Sequence, residues 1–218
     1  MEVVAFGTPL GLAFASGMNA YLPLLAFAVS ARWLHLYKVS PGFGFITQTW
    51  FIAILVILTI LDFVADKIPI IDHAWDAVHT VVRPIAGAVV AAAASGNALS
   101  GIHTAPATSF DGARSGYVAL SVVPVTAVGT LIVLVIGGVL AALSHTAKAT
   151  TRLFSTLTTA GLLNIVLSTV EDVMVLIVTL LALFVPVVVL VLLVIFFVVV
   201  GPRLLRARTL WRGRRRWI

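Results

Sequence analysis

The 218-residue chain has no cysteine, and only 10% of its residues carry charge. The first absence excludes disulfides, thiolate metal sites, cysteine-bound iron–sulfur clusters and cysteine nucleophiles. The second excludes a soluble domain, in which about a quarter of residues are charged. The sequence also lacks a nucleophile elbow, an HExxH pair and a phosphate-binding glycine loop. What is there instead is hydrocarbon. Apolar residues make up 61%, or about 68% with the 16 glycines, against roughly 45–50% in soluble proteins on the same count. Mean hydropathy is +1.16. These values define a polytopic membrane protein and exclude soluble enzymes and nucleic-acid-binding domains.

The net charge of +6 averages two unlike parts. Arg203, Arg206, Arg208, Arg212, Arg214, Arg215 and Arg216 are half of the 14 basic residues. The first 202 residues hold the other seven bases and all eight acids, so the body is −1 and the tail +7. A basic tail beside a membrane span reads as a cytoplasmic anchor facing anionic lipid. The expected organisation is one transmembrane bundle over 1–202 and an Arg-rich cytoplasmic tail over 203–218. The first residues lack the positive region of a signal peptide, so the first apolar stretch is expected to stay as a span.

Crossing the hydrocarbon takes about 20 apolar residues. Val3 to Ala31 is long enough, with Pro9, Gly17, Asn19 and Pro23 interrupting it. Trp50 opens a second span that ends in Asp62, Asp66 and Lys67. Ile70 to Arg83 reads as a short amphipathic stretch, and Pro84 suits the first turn of a third span running to about Ala98. Gly101 to Gly116, which contains His103, reads as a loop, and a fourth span covers about Val122 to Leu143. His145 to Asp172 has helical spacing with many Thr and Ser residues, which fits an interfacial or re-entrant helix pair or a weak extra span. The last span, Val173 to Val200, should tilt or kink near Pro186. The expected fold is all-α, a transmembrane bundle of about five spans with an interrupted first helix. The arginine tail then places the C-terminus in the cytoplasm, the N-terminus outside, and both polar stretches on the outer side of the cell inner membrane.

Those two stretches hold the candidate chemistry. At 100° per residue, Asp72, Asp76, His79 and Arg83 share a 60° arc of one helix, and Asp62 and Asp66 lie 40° apart on the preceding helix end. His145, Lys148 and Arg152 share another arc, as do Asn164, Ser168 and Glu171, with Asp172 adjacent. Together the stretches hold six acids (Asp62, Asp66, Asp72, Asp76, Glu171, Asp172) and four bases (Lys67, Arg83, Lys148, Arg152), a balance of −2. Carboxylates with neutral histidine suit proton relay or a divalent cation, and the negative balance disfavours an anion. The plainer alternative is a salt-bridge network that lets polar helices pack. Acid–base work on a lipid is a third. The spacing fits no specific metal-site signature. In the first span, Gly17, Asn19 and Pro23 break the helix where Asn19 and Tyr21 add polar groups, an arrangement that lines substrate paths in transporters.

These motifs resemble a family of small bacterial integral membrane proteins known as domain of unknown function 4126. The resemblance rests on Gly17, Asn19, Tyr21 and Pro23, on Asp62 through Arg83 and Pro84, and on Ser144, His145 and Lys148. Asn164, Glu171 and Asp172 extend it. It implies a small bacterial membrane protein and no particular substrate.

The expected function is a transporter or channel-like protein for protons or a small cation. Asp62, Asp66, Asp72, Asp76 and His79 would carry the ion and Asn19 would line its path. Lys67, Arg83, Lys148, Arg152, Glu171 and Asp172 would act as counter-charges. The alternative is a non-transporting scaffold or accessory subunit. Neither a cofactor nor an enzymatic activity is expected. The expected partners are the bilayer, anionic lipid at the tail, and a second copy or larger membrane complex through the small-residue faces at Gly87 with Ala91 and at Gly137 or Gly138 with Ala141 or Ala142.

Overall fold

The structure, a computed structural model, describes residues 5–67, 69–99, 125–159 and 164–199. The loop expected over 101–116 and the Arg-rich tail lie outside these residues. Among the described residues every regular element is helical: α1 (Gly7–Ser16), α2 (Leu22–Arg32), a 3-10 turn (Gly44–Thr47), α3 (Thr49–Ala65), α4 (Pro69–Ala94), the single turn α5 (Gly96–Leu99), α6 (Val125–Thr159) and α7 (Asn164–Phe184). A last helix, α8, spans Pro186–Val199.

Two apolar runs break, and in each case other parts of the chain take up the freed backbone groups. The first stops at Ser16 and restarts at Leu22. Pro23 has no N–H for the carbonyl of Asn19, so the helix cannot continue unperturbed. The Asn19 side chain turns back instead, and its Oδ1 accepts from the Tyr21 and Leu22 N–H groups at 3.1 and 2.9 Å. The carbonyls left over at the end of α1 are met from α6. Ser144 donates to Phe14 at 2.6 Å and Lys148 Nζ to Met18 at 3.0 Å. The last run breaks at Val185, before Pro186, as the kink expectation had it. Pro186 leaves the carbonyl of Ala182 without its i+4 donor, and Thr8 on α1 supplies one at 2.7 Å. The Tyr37 hydroxyl does the same for Leu183. Broken helices persist in a membrane where neighbours re-satisfy their backbone in this way.

The third proline behaves otherwise. Pro84 was expected to open a new span, but it lies inside α4, a single helix of 26 residues. The amphipathic stretch and the third span are therefore one element. Close packing of α4 on α6 explains the difference, since one lost hydrogen bond costs less than two exposed helix ends in hydrocarbon. Likewise α6 runs on for 35 residues through His145 and Lys148, and α7 begins at Asn164, ahead of the expected start at Val173. The polar stretch 145–172 is thus divided between the end of one long helix and the start of the next.

Small residues set the spacing. A Cβ at Gly137 would lie 2.5 Å from Ala91 Cβ and 2.7 Å from the Gly87 carbonyl, and one at Gly87 would run into Ala141. The small-residue faces read from the sequence therefore pack on each other, bringing α4 and α6 to backbone contact. Helix α1 sits against α2, α4, α6 and α7. Its Gly11 leaves room for Val189 and Ala182, which a Cβ would meet at 2.6 and 2.8 Å. The outer faces remain apolar and exposed, with Ile57, Ile60, Val81, Val135 and Val194 among them, which marks a lipid-facing surface. Trp75–Ala94, Ala127–Arg152 and Val166–Phe184 are long and apolar enough to cross a membrane, and α2, α3 and α8 are shorter apolar helices.

Candidate functional site

The helical period delivers four sets of polar side chains to one place. Asp62 is near the end of α3 and Asp66 directly follows it. Asp76, His79 and Arg83 come from α4, His145, Lys148 and Arg152 from α6, and Ser168, Glu171 and Asp172 from α7. His79 and Arg83 are 0% exposed and Asp62 is 1% exposed, which in a chain this apolar demands partners.

Around Asp66 the pairing is dense. Its Oδ2 accepts from Lys148 Nζ and Arg152 Nη2, both at 3.0 Å. Lys148 also lies 3.3 Å from Glu171, and Arg152 donates to Glu171 at 2.7 Å. Lys67 bridges to Asp172 at 2.7 Å and Ser168 at 2.9 Å. Around Asp62 the pairing is sparser. Its Oδ1 accepts from Trp75 Nε1 at 2.7 Å and faces His79 Nε2 at 3.4 Å. His79 Nδ1 lies 2.8 Å from the Trp75 carbonyl. Arg83 Nη1 donates to Asp76 at 3.2 Å and to His145 Nδ1 at 2.9 Å. Because an arginine only donates, His145 Nδ1 holds a lone pair and that ring is neutral. Arg152 Nη1, 3.6 Å from Asp76 Oδ2, ties the two halves together.

Burial alone would push the Asp66 carboxyl up, but Lys148 and Arg152 outweigh it and hold its pKa below the ordinary carboxylate value. A depressed folded-state pKa gives stability that is present above the unfolded-state value and lost as pH falls through the folded one. In an acid titration of the detergent-solubilised protein, the Asp66 contribution to the thermal midpoint is therefore expected to be fully present and independent of pH around neutrality. The Asp66 contribution should disappear only below the usual carboxylate range. An Asp66→Asn chain with the same acid profile as wild type would contradict this.

Asp62, Asp66, Asp76 and His79 thus come together with all six expected counter-charges. Asp72 lies on α4, but its side chain is outside the described residues, as is that of Asn164. Asn19 is buried beside the helix break, where it caps α2. Trp75 and His145 were missed as site residues. The signal for Trp75 in the sequence is its spacing, four residues before His79 on the same helix. Next to the cluster, a cleft of about 390 Å³ is walled mainly by apolar side chains such as Phe14, Val189 and Phe196, with Lys148 and Glu171 at its polar end.

The fold and site define an α-helical membrane protein with a buried ionic cluster between its helices. The chain belongs to the family described as Domain of unknown function (DUF4126), which matches residues 6–206 and so takes in the whole cluster. No curated protein and no solved structure matches it.

Proposed function

We propose that this protein is a small transporter or channel-like protein for protons or a small cation. In this reading Asp62, Asp66, Asp72, Asp76 and His79 carry the ion. Lys67, Arg83, Lys148, Arg152, Glu171 and Asp172 balance its charge, and Asn19 shapes the path at the helix break. The observation that carries this is the Asp62–His79 pair, sealed from solvent and, among the described residues, without a Lys or Arg within ion-pair distance such as Asp66 has. A purely structural network is better served by full pairing, because a half-satisfied buried group destabilises. The reading includes an inner-membrane location with the N-terminus outside, the C-terminus cytoplasmic, and the tail on anionic lipid.

A second reading, a scaffold or accessory subunit joined to a further copy or a larger complex, is favoured by the internal pairing of Lys67, Lys148 and Arg152. Purified protein in proteoliposomes separates the two. Gradient-driven flux of protons, sodium or potassium is expected with wild type. His79→Ala and Asp76→Asn are expected to lower it by about tenfold or more, equivalent to about 1.4 kcal/mol of barrier. Flux unaltered by both substitutions removes these residues from the path. Absence of any flux with wild type leaves the scaffold.

A further inference from the structure

Among the described residues, five buried side-chain atoms of this cluster have no hydrogen-bond partner: Asp62 Oδ2, Asp66 Oδ1, His79 Nε2, and Arg83 Nε and Nη2. They are not scattered defects. Two are donors that cannot accept, and two are carboxylate oxygens that accept. Yet the donors do not meet the acceptors directly. Among the described residues Asp76 is the carboxylate within ion-pair distance of Arg83. The guanidinium nevertheless acts electrostatically on both Asp62 and Asp66. Buried donors and acceptors of opposite type that lack a direct partner are what ordered water bridges, since each water takes two to four such partners.

The His79 ring adds a proton count. The Trp75 carbonyl can only accept, so Nδ1 carries hydrogen. A neutral His79 then points the lone pair of Nε2 at a carboxylate oxygen 3.4 Å away. Two acceptors facing each other away from bulk solvent repel, and one proton on either of them removes the conflict. The charge balance agrees. Five described carboxylates (Asp62, Asp66, Asp76, Glu171, Asp172) stand against four fixed cations (Lys67, Arg83, Lys148, Arg152), with His145 neutral, so one added proton brings the cluster to zero.

We infer that the space between Asp62, Asp66, His79 and Arg83 holds ordered water, and that Asp62 and His79 share one exchangeable proton there. The transfer conserves charge and atoms. The Nε2–H bond of an imidazolium breaks as the O–H bond of the Asp62 carboxyl forms, and water returns a proton to Nε2 when the carboxyl gives its own up. The groups facing the pair are Trp75 on α4 itself, Tyr21 just before α2, its ring 5.6 Å from His79, and Asp66, Arg83 and His145. A metal cation fits poorly, because Arg83 occupies the site and Lys148 and Arg152 already hold Asp66. Resting on the transport reading, this makes the proton the cargo.

Solid-state NMR of full-length protein carrying 15N-histidine, in lipid bilayers, tests it without reference to transport. His79 is assigned by its loss in His79→Gln or, if that chain does not fold, by its contact with a 13C-labelled tryptophan carbonyl. Buried as it is, His79 is expected to gain polarisation from water about as early as exposed His35, and Asp62→Asn is expected to shift its Nε2 resonance. Transfer to His79 many-fold slower than to His35, or a signal indifferent to Asp62→Asn, overturns the inference. In vesicles, sodium or potassium flux without proton flux overturns it while leaving transport intact. A wet, proton-sharing His79 with no flux of any kind upholds the site and sinks the transport reading alone.

Discussion

Gly17→Ala is expected to prevent the bundle from assembling, while Gly138→Ala is expected to leave it intact or slightly firmer. Both glycines face a helix neighbour, and neither has a positive φ, so the difference is one of space. A Cβ at Gly17 would fall inside the contact distance of both Ser144 Oγ and the Ala141 carbonyl. The Ser144 rotamer is fixed by its bond to Phe14, and the carbonyl belongs to the backbone of α6. Nothing at that point is the loose end of a side chain, so the loss should exceed the roughly 1–3 kcal/mol of ordinary overpacking. At Gly138 the nearest atoms are the Pro84 carbonyl at 3.4 Å and Ala88 Cβ at 3.5 Å, which is normal contact. There the gain in helix preference, about 0.5–1 kcal/mol, is unopposed. Thermal unfolding in mild detergent and yield of monodisperse protein measure both. Ser144→Gly in the Gly17→Ala background removes one clash and leaves the backbone one, so it should restore little. Full rescue by that double change would show that the hydroxyl, not the backbone approach, sets the spacing.

The same glycine shows how far the sequence could be read. The residues Gly17, Asn19 and Pro23 mark a broken helix from composition alone, because each has a local consequence for backbone hydrogen bonding. Their partners were not legible, since Ser144 and Lys148 lie about 130 positions away and reach the break only through the packing of α1 on α6. The charged residues divide similarly. Helical spacing placed Asp76, His79 and Arg83 on one face, and His145, Lys148 and Arg152 on another. That these faces meet follows from α4 and α6 packing through Gly87 and Gly137, a pattern the sequence also displayed. Pro84 misled because its effect on a helix depends on neighbours the chain does not announce. Trp75 was not legible as a site residue because an indole has an apolar body and one polar atom, and only the fold decides that Nε1 meets Asp62.

Lys148→Met carries the second large expectation, a loss of about 3–5 kcal/mol of stability, the usual result of leaving a buried charge without its partner. Lys148 is 6% exposed and touches Asp66, Glu171 and the Met18 carbonyl. Removing it leaves Arg152 to serve both acids and frees a carbonyl at the helix break. Lys67→Met gives the contrast. Its side chain is 36% exposed, so the pair with Asp172 is worth at most about 1 kcal/mol. The two substitutions delete the same charge from the same network, and their difference isolates burial. Adding Asp66→Asn to Lys148→Met removes the carboxylate that lost its partner, and the double chain should recover about 0.5–3 kcal/mol relative to additivity, the range for residues in one network. Recovery should stay incomplete, because asparagine cannot replace the donor to Met18. Unfolding of the four chains in the same detergent closes the cycle. A coupling energy near zero would mean that Lys148 acts through the backbone of the broken helix rather than through Asp66. The charge cluster and the helix break would then be separate features that happen to share a lysine.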